Sequence, residues 1–447
     1  MAQKKWWVLL GIGLMIFLLN VDSTVMNLAL VTLSHYFHLH IQTSQWVITI
    51  YLLVAAIALI PSGRIADLTS KRDVYLLGVF CFFMGSWIAA AAGNIGILLL
   101  GRALQGLGYG MTMALITVLG TMYFAEEEKG RALSILAILS CLGLVIGPTL
   151  GGAIAQFLSW RVIFWMNLPI CVASMAIVLK ICPREKMIKA AVSEPLNLQL
   201  LRGLFANRAY FILVVNRFLI LAAYGIMLFV VPLYLQNLKN FSPLLAGYFM
   251  LGMTLAVIVT STGLGHLVDK KGYRVFHLNA CALFFVAYLL FILAFDVQKL
   301  PLLLVGLICA GLATGFYFVG SVRGALQELP KAHQGLGMSI FYASALLGGA
   351  ICVAIASQIL HVNACMELQS WRAVTPQLNQ LDPAALNAVG SGIQSFYVQS
   401  WTAVMPLDAL HALLMTIFSR GLLMIAGLGA CLTGAATLLA WSVYRDH

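Results

Sequence analysis

Acidic side chains are what this sequence has least of. Only 15 Asp and Glu stand among 447 positions, and charged residues of both signs together make up 9%. A soluble domain carries about 25% charged residues. A chain that is 62% hydrophobic therefore cannot present a polar surface to water. Other absences narrow the reading. No Gly-rich loop ending in Gly-Lys-Ser/Thr occurs, so ATP-driven pumping lacks its phosphate cradle. The nine cysteines are scattered, mostly through apolar segments, with only Cys365 in a long polar loop. That pattern offers neither a zinc site nor a disulfide framework. His35, His38 and His40 are near one another but have no carboxylate beside them, which reads as a plain loop rather than a metal site. No catalytic triad motif or polar domain supports an enzyme or a receptor, and no cofactor, metal or nucleic-acid partner is expected. The first apolar stretch, Trp6 to Leu30, lacks a small-residue cleavage site and reads as a span rather than a signal peptide.

What is present is a succession of long apolar runs. A membrane span needs roughly 20 mostly apolar residues. Such stretches fall at 6–30, 44–63, 73–92, 95–123, 132–157 and 161–181, then at 208–235, 242–265, 273–295, 301–321, 334–360 and 421–443. The expected fold is an all-α membrane protein with 12 transmembrane helices in two six-helix bundles, residues 1–181 and 208–447. Residues 182–207 carry Arg184, Glu185, Lys186, Lys189, Glu194 and Arg202, too many charges for a span, and form the expected linker. Residues 361–420 are expected to be a long external loop, with an amphipathic hairpin from Ile393 to Phe418. A thirteenth span is the alternative there.

Positive charge orients these spans. With the amino terminus inside, 19 of the 26 Lys and Arg residues fall in cytoplasmic segments or at their edges. Arg161, Lys239, Lys299, Arg372 and Arg420 are external, and Arg102 and Arg217 lie within spans. This bias predicts cytoplasmic termini.

One charged motif occurs twice. GRIADLTSKRD runs from Gly63 to Asp73, and GHLVDKKGYR from Gly265 to Arg274, 202 residues later. Each has a glycine, an aspartate four residues on, and then basic residues. A repeat at half-chain spacing implies two related halves, the construction of secondary transporters that bind substrate between halves. Gly63, Asp67, Arg72, Gly265, Asp269 and Arg274 are the expected gating residues.

Asp22 is the only acidic residue in the interior of a span, Asp73 standing at the very edge of another. A carboxylate at the membrane centre costs about 2.5–3.5 kcal/mol on insertion scales, so it normally faces a cavity or a partner. A protonatable carboxylate facing a cavity is the minimum for proton coupling; a structural Asp bonded to a neighbouring helix is the alternative. Thr24 and Asn27 on the same helix are candidate partners for Asp22 or for substrate. Arg102 cannot realistically lose its proton and has Asp22 as its only acidic partner within the spans; otherwise it snorkels outward. Gln105 follows one turn later, and Gly106 and Gly110 permit close helix approach. Arg217, about ten residues into its span, has no acidic residue left. It is a candidate anion-binding group in the substrate cavity with Asn27 and Gln105, or else a cap for helix carbonyls. Gly143, Gly147 and Gly151 share one helix face, with Gly152 beside them, and Pro148 is expected to bend that helix.

Over essentially its whole length the chain resembles the major facilitator superfamily. The Gly63–Asp67–Arg72 and Gly265–Asp269–Arg274 elements are similar to its signature loops between helices two and three and between helices eight and nine. In the first copy, Ser70 stands where the family usually has Gly; the second keeps Gly272. Leu100 to Gly110 is similar to the fourth-helix motif that the family links to proton transfer. Gly143 to Gly152 is similar to the fifth-helix motif of exporters. Asn20 to Leu30, with Trp160, Arg161, Phe164, Asn167 and Pro169, resembles the EmrB/QacA type of drug:proton antiporter. Two departures are Val31, where that group has proline, and 12 rather than 14 helices. The resemblance implies a proton-coupled exporter of small organic molecules in the cytoplasmic (inner) membrane. Its partners would be a small-molecule substrate, protons, the lipid bilayer and, as a candidate, a periplasmic adaptor protein. A dedicated exporter of an anionic metabolite, such as a carboxylate siderophore, is the rival reading.

Overall fold

In lipid every backbone N–H and C=O must be satisfied within the chain, which leaves helices as the economical answer for long apolar runs. The computed structural model describes residues 2–183, 198–263, 272–329, 334–374 and 407–444. Twelve helical spans are long and apolar enough to cross a membrane, the second and sixth counted together with a short helix that precedes each. They are α1 (Ala2–Phe37), α2 (Trp46–Leu68), α3 (Lys71–Ala90), α4 (Ile95–Thr121), α5 (Glu126–Phe157), α6 (Asn167–Ile181), α7 (Arg208–Leu233), α8 (Pro243–Gly263), α9 (Tyr273–Asp296), α10 (Leu300–Glu328), α11 (Gln334–Val374) and α12 (Leu407–Tyr444). Short helices at Ile41–Ser44 and Val162–Trp165 precede α2 and α6, and a π-helical turn, Tyr234–Leu238, ends α7.

The two halves repeat one packing scheme. In the first, α1 packs on α5 and α6, α4 packs on α2 and α3, and α3 packs on α6. In the second, α7 packs on α11 and α12, α10 packs on α8 and α9, and α9 packs on α12. The halves meet along two seams, α2 against α11 and α5 against α8. Glycine sets the spacing. A Cβ added at Gly143, Gly147 or Gly151 would lie 2.4 Å from the Phe17 carbonyl oxygen, 1.9 Å from Thr24 Oγ1 or 2.3 Å from the Val25 carbonyl oxygen. The glycine stripe of α5 is thus pressed onto the α1 backbone. Gly348 on α11 does the same in the second half, 2.3 Å from the Phe218 carbonyl oxygen of α7.

Two expectations change. Residues 361–420 are not simply a loop: α11 runs on to Val374 and α12 starts at Leu407. Beyond the membrane-length core, Glu367 on α11 forms an ion pair with Arg420 on α12. Cys365 accordingly sits in a helix. The expected hairpin's first part, 393–406, lies outside the described residues, and its remainder is the first turns of α12. Within the linker, Leu198–Ala206 is helical. Leu204 is buried there in a cluster with Tyr210, Leu329 and Phe341, and the partly exposed Phe205 ring stacks on Tyr210 and meets Phe211 edge-on, while Arg202 stays exposed.

Candidate functional site

The sparse polar residues of the first half converge. Asp22 on α1, Ser86 on α3, Arg102 and Gln105 on α4, and Asn167 on α6 are all buried. Arg102 Nη1 donates to Asp22 Oδ2 at 2.6 Å and to Gln105 Oε1 at 2.9 Å, and its Nε donates to the Val47 carbonyl at 2.9 Å. Asp22 Oδ1 accepts from Asn167 Nδ2 at 2.9 Å and from Gln105 Nε2 at 3.3 Å. Both amides also donate to Ser86 Oγ, at 2.8 Å from Gln105 and 3.2 Å from Asn167. Ser86 in turn donates to the Phe82 carbonyl. The Tyr51 ring of α2 lies 4.0 Å from the guanidinium carbon, a cation–π contact that shields the charge. A charge at this depth persists only when paired and fully hydrogen-bonded, and here every charged oxygen has a donor.

Local structure explains the convergence. Asn94 caps α4, accepting from Ile97 N at 3.0 Å, and this starts α4 in the register that turns Arg102 and Gln105, three residues apart, to one face. Gly106 and Gly110 bring α2 in: a Cβ at either would lie 2.5 Å from the Tyr51 carbonyl oxygen or 2.6 Å from that of Ala55. That close approach sets Tyr51 over Arg102. The short helix Val162–Trp165 precedes α6 and delivers Asn167 to Asp22.

The structure does not bring every sequence candidate to this site. Asn27 donates to the Thr24 carbonyl, and Thr24 bonds the carbonyls of Asn20 and Val21. Both close on their own helix instead of meeting Asp22, as short polar side chains on helices commonly do. Asn167 entered the sequence reading only through family resemblance, and Ser86 and Tyr51 went unnoticed. Their one signal is that an isolated buried carboxylate demands several donors.

Arg217 on α7 is buried at 2% exposure. Its Nη1 donates to Ser321 Oγ on α10 at 3.2 Å, and its Nε has no hydrogen-bond partner. Phe318 and Phe341 lie 4.8 Å away, and Tyr317 and Tyr342 5.6 Å away. Among the described residues no carboxylate pairs with it.

The twin motifs are described in part. Gly63 faces α11, where an added Cβ would lie 3.6 Å from Ser339 Oγ. Arg72 Nη2 donates to the Leu179 carbonyl in the last turn of α6 at 3.2 Å, a cation on a helix carboxyl end. Asp67 is in the last turn of α2, but its side chain, like Gly265 and Asp269, lies outside the described residues. Arg274 begins α9 beside the Tyr273 ring. The Ser70 departure has a physical cause. Ser70 is extended at φ −146 and caps α3 by accepting from Asp73 N at 3.3 Å, whereas Gly272 has φ +80, which favours glycine. In the fifth-helix motif α5 continues through Pro148. Gly152 meets the Pro243 carbonyl of α8, and Thr149 Oγ1 donates to the Gly247 carbonyl at 3.3 Å. The motif therefore serves both α1 and the second half. Among the described residues no cluster suited to a metal ion occurs.

Residues 11–353 match the profile of the Major Facilitator Superfamily. The riboflavin transporter RibZ of Clostridioides difficile (strain 630) is 26% identical over 75% of this chain and 84% of its own length. The multidrug resistance protein Stp of Mycobacterium tuberculosis (strain ATCC 25618 / H37Rv) is 26% identical over 84% of this chain and 80% of its own. Among solved structures, an inward-facing, unoccupied bacterial homolog of the human lysosomal transporter Spinster superposes with TM-score 0.75 at 14% identity, over 99% of this chain and 98% of that one.

Proposed function

The chain belongs to the major facilitator superfamily, and on that premise we propose that it is a proton-coupled exporter of small organic molecules across the cytoplasmic membrane, with both termini in the cytoplasm. The family and fold are those of transporters rather than enzymes. Relatives named for drug resistance and for riboflavin transport support small-molecule cargo. Positive charge concentrated at the end of the bundle that carries the termini supports the orientation.

The observation that carries the proton coupling is the buried Asp22–Arg102 pair. Protonation of Asp22 removes the charge that holds Arg102. The guanidinium then keeps Val47, Gln105 and the Tyr51 ring, but its bond to the carboxylate weakens, as do those from Asn167 and Gln105. Five helices of the first half, α1, α2, α3, α4 and α6, meet in this network, so its rearrangement bears on how that half rocks against the other across the α2–α11 and α5–α8 seams. The twin-motif residues Gly63, Asp67, Arg72, Gly265, Asp269 and Arg274 would gate the end where the termini lie.

Arg217 supports a finer reading of the cargo as anionic. With Arg102 and Asp22 paired, the intramembrane sum is +1, and it becomes +2 when Asp22 is protonated. Such a site attracts anions and repels lipophilic cations. Exchange of one entering proton for one leaving monoanion moves two charges across the potential, each worth ~2.3 kcal/mol per 100 mV.

The test is Asp22→Asn in inverted vesicles energised with a proton gradient. The variant should insert and fold like the parent yet lose gradient-driven transport. Transport at the parent's rate by the Asn variant would refute proton coupling at this site.

A further inference from the structure

We propose that Arg217 heads a binding site for a single-headed organic anion with an apolar body, an aromatic monocarboxylate being the simplest member of that class. The proposal deepens the exporter reading and rests on it for the direction of transport, though not for binding.

Arg217, Ile220, Leu221 and Tyr224 follow one face of α7 at spacings of three, four and seven residues. On α10, Thr314, Tyr317, Phe318 and Ser321 repeat the same pattern. With Phe284 of α9, the apolar members of these rows line a narrow cleft between the three helices. Arg217 and Ser321, joined at 3.2 Å, lie where both rows end. Neither lines the cleft itself; they lie one turn beyond its end, so its apolar length leads toward a charged group.

The charged group is incompletely satisfied. A guanidinium offers five N–H donors in a fork, and the acceptors near Arg217 are the Ser321 hydroxyl and the Tyr317 phenol. Arg217 Nε is buried without a hydrogen-bond partner. A carboxylate is the acceptor that fits the fork through two parallel bonds. The group also lies near the seam between the halves: Phe341 and Tyr342, 4.8 and 5.6 Å from it, stand on α11, which packs on α2, and Tyr109 of α4 is near enough to feel its charge.

The remaining lining sets the cargo's shape. Among the described residues no cation lines the length of the cleft. The neighbouring titratable ring, His277, packs against Tyr317 and reaches Asn216 Nδ2 at 3.2 Å, and it is not part of the lining. A cargo with several carboxylates would bury all but one against Ile220, Leu221 and Phe284 without donors, which is unfavourable. An apolar body instead finds aromatic walls. The lining side chains close on one another in this conformation, so binding requires Tyr317 or Phe318 to rotate and open the cleft toward Arg217.

The experiment is equilibrium dialysis of radiolabelled 2-naphthoate against the purified full chain in lipid nanodiscs, with empty nanodiscs subtracted. Saturable binding is expected, at least tenfold weaker in Arg217→Gln and in Thr314→Trp, which fills the cleft and leaves the arginine. Arg217→Lys, which keeps the charge but not the fork, should fall between the parent and Arg217→Gln. Neither citrate nor uncharged 2-naphthylmethanol should compete. Absence of saturable binding, binding indifferent to both Arg217→Gln and Thr314→Trp, or competition by citrate equal to that of unlabelled 2-naphthoate would overturn the proposal. Thermal unfolding of each variant separates lost binding from lost fold. Dialysis needs no gradient, so naphthoate binding without gradient-driven transport would sink the exporter reading alone, and transport without naphthoate binding would sink this proposal alone.

Discussion

Each half of the molecule buries an arginine, and the two are treated in opposite ways. Arg102 is met by a carboxylate, an amide oxygen, a backbone carbonyl and a ring face. Arg217 is met by one hydroxyl and four aromatic rings. The two arginines stand on non-equivalent helices of the repeated packing plan, α4 in the first half and α7 in the second, and the side chains packed around each make the difference. In the first half the helix faces supply Asp22, Gln105 and Asn167, and in the second they supply Tyr317, Phe318, Phe341 and Tyr342. One arginine is closed within a network and the other retains an open donor, which suits them to different tasks, internal switching and ligand capture.

The sharpest way to break that comparison is to remove each arginine. Arg102→Leu leaves Asp22 buried and charged without its cation, and a broken buried pair costs about 3–5 kcal/mol. We expect a large fall in the thermal midpoint of the detergent-purified protein, and a fall of similar size for Arg217→Leu would erase the contrast. A Cβ at Gly147 meets Thr24 Oγ1 at 1.9 Å, so Gly147→Ala should overpack the α1–α5 contact by about 1–3 kcal/mol. Gly427, by comparison, has open space around it, and Gly427→Ala should leave the midpoint unchanged or higher. Arg217→Leu orphans no described carboxylate and loses cation–π contacts worth about 0.5–2 kcal/mol. Its gain in apolar burial offsets that loss, so its midpoint should stay near the parent's.

The smallest effect belongs to the surface. Lys5 on α1 pairs with Glu128 at the start of α5 at 2.5 Å. The hydrogen bond from Lys5 holds the Glu128 carboxyl below its ordinary range. Its contribution is therefore present above the unfolded carboxyl pKa and lost as pH falls through the lower folded value. Glu128→Gln should leave the thermal midpoint at pH 7 almost unchanged, because exposed pairs contribute little, and should slightly flatten its acid-side decline. A midpoint difference that grows in strong salt would contradict an electrostatic origin.

Much of the fold was legible because lipid leaves few alternatives. Runs of some twenty apolar residues, interrupted by charges at regular intervals, specify spans, their number and the repeat between halves. Ends were legible less well. α11 and α12 continue past the runs that announce them, because beyond the apolar core helix extension depends on partners such as Glu367 and Arg420 that sit 53 residues apart. The site was half legible. Asp22 and Arg102 stand out as rare charges, and their scarcity alone pairs them. Asn27 shares the polarity of Asn167 but bonds its own helix, a choice made by local geometry that residue type does not reveal.

By itself, then, the order of residues determined the twelve helices, the two related halves and which few charges must be buried. Those properties follow from hydrophobic length and from the cost of an unpaired charge, both of which are local or additive. Tertiary structure alone decided which neutral groups serve each charge. Ser86, Tyr51 and Asn167 come to Asp22 and Arg102 from three other helices, and Phe341 and Tyr342 come to Arg217 from α11. Hydrogen bonds and ring contacts are short-ranged and directional, so only the packing of helix on helix selects the partners.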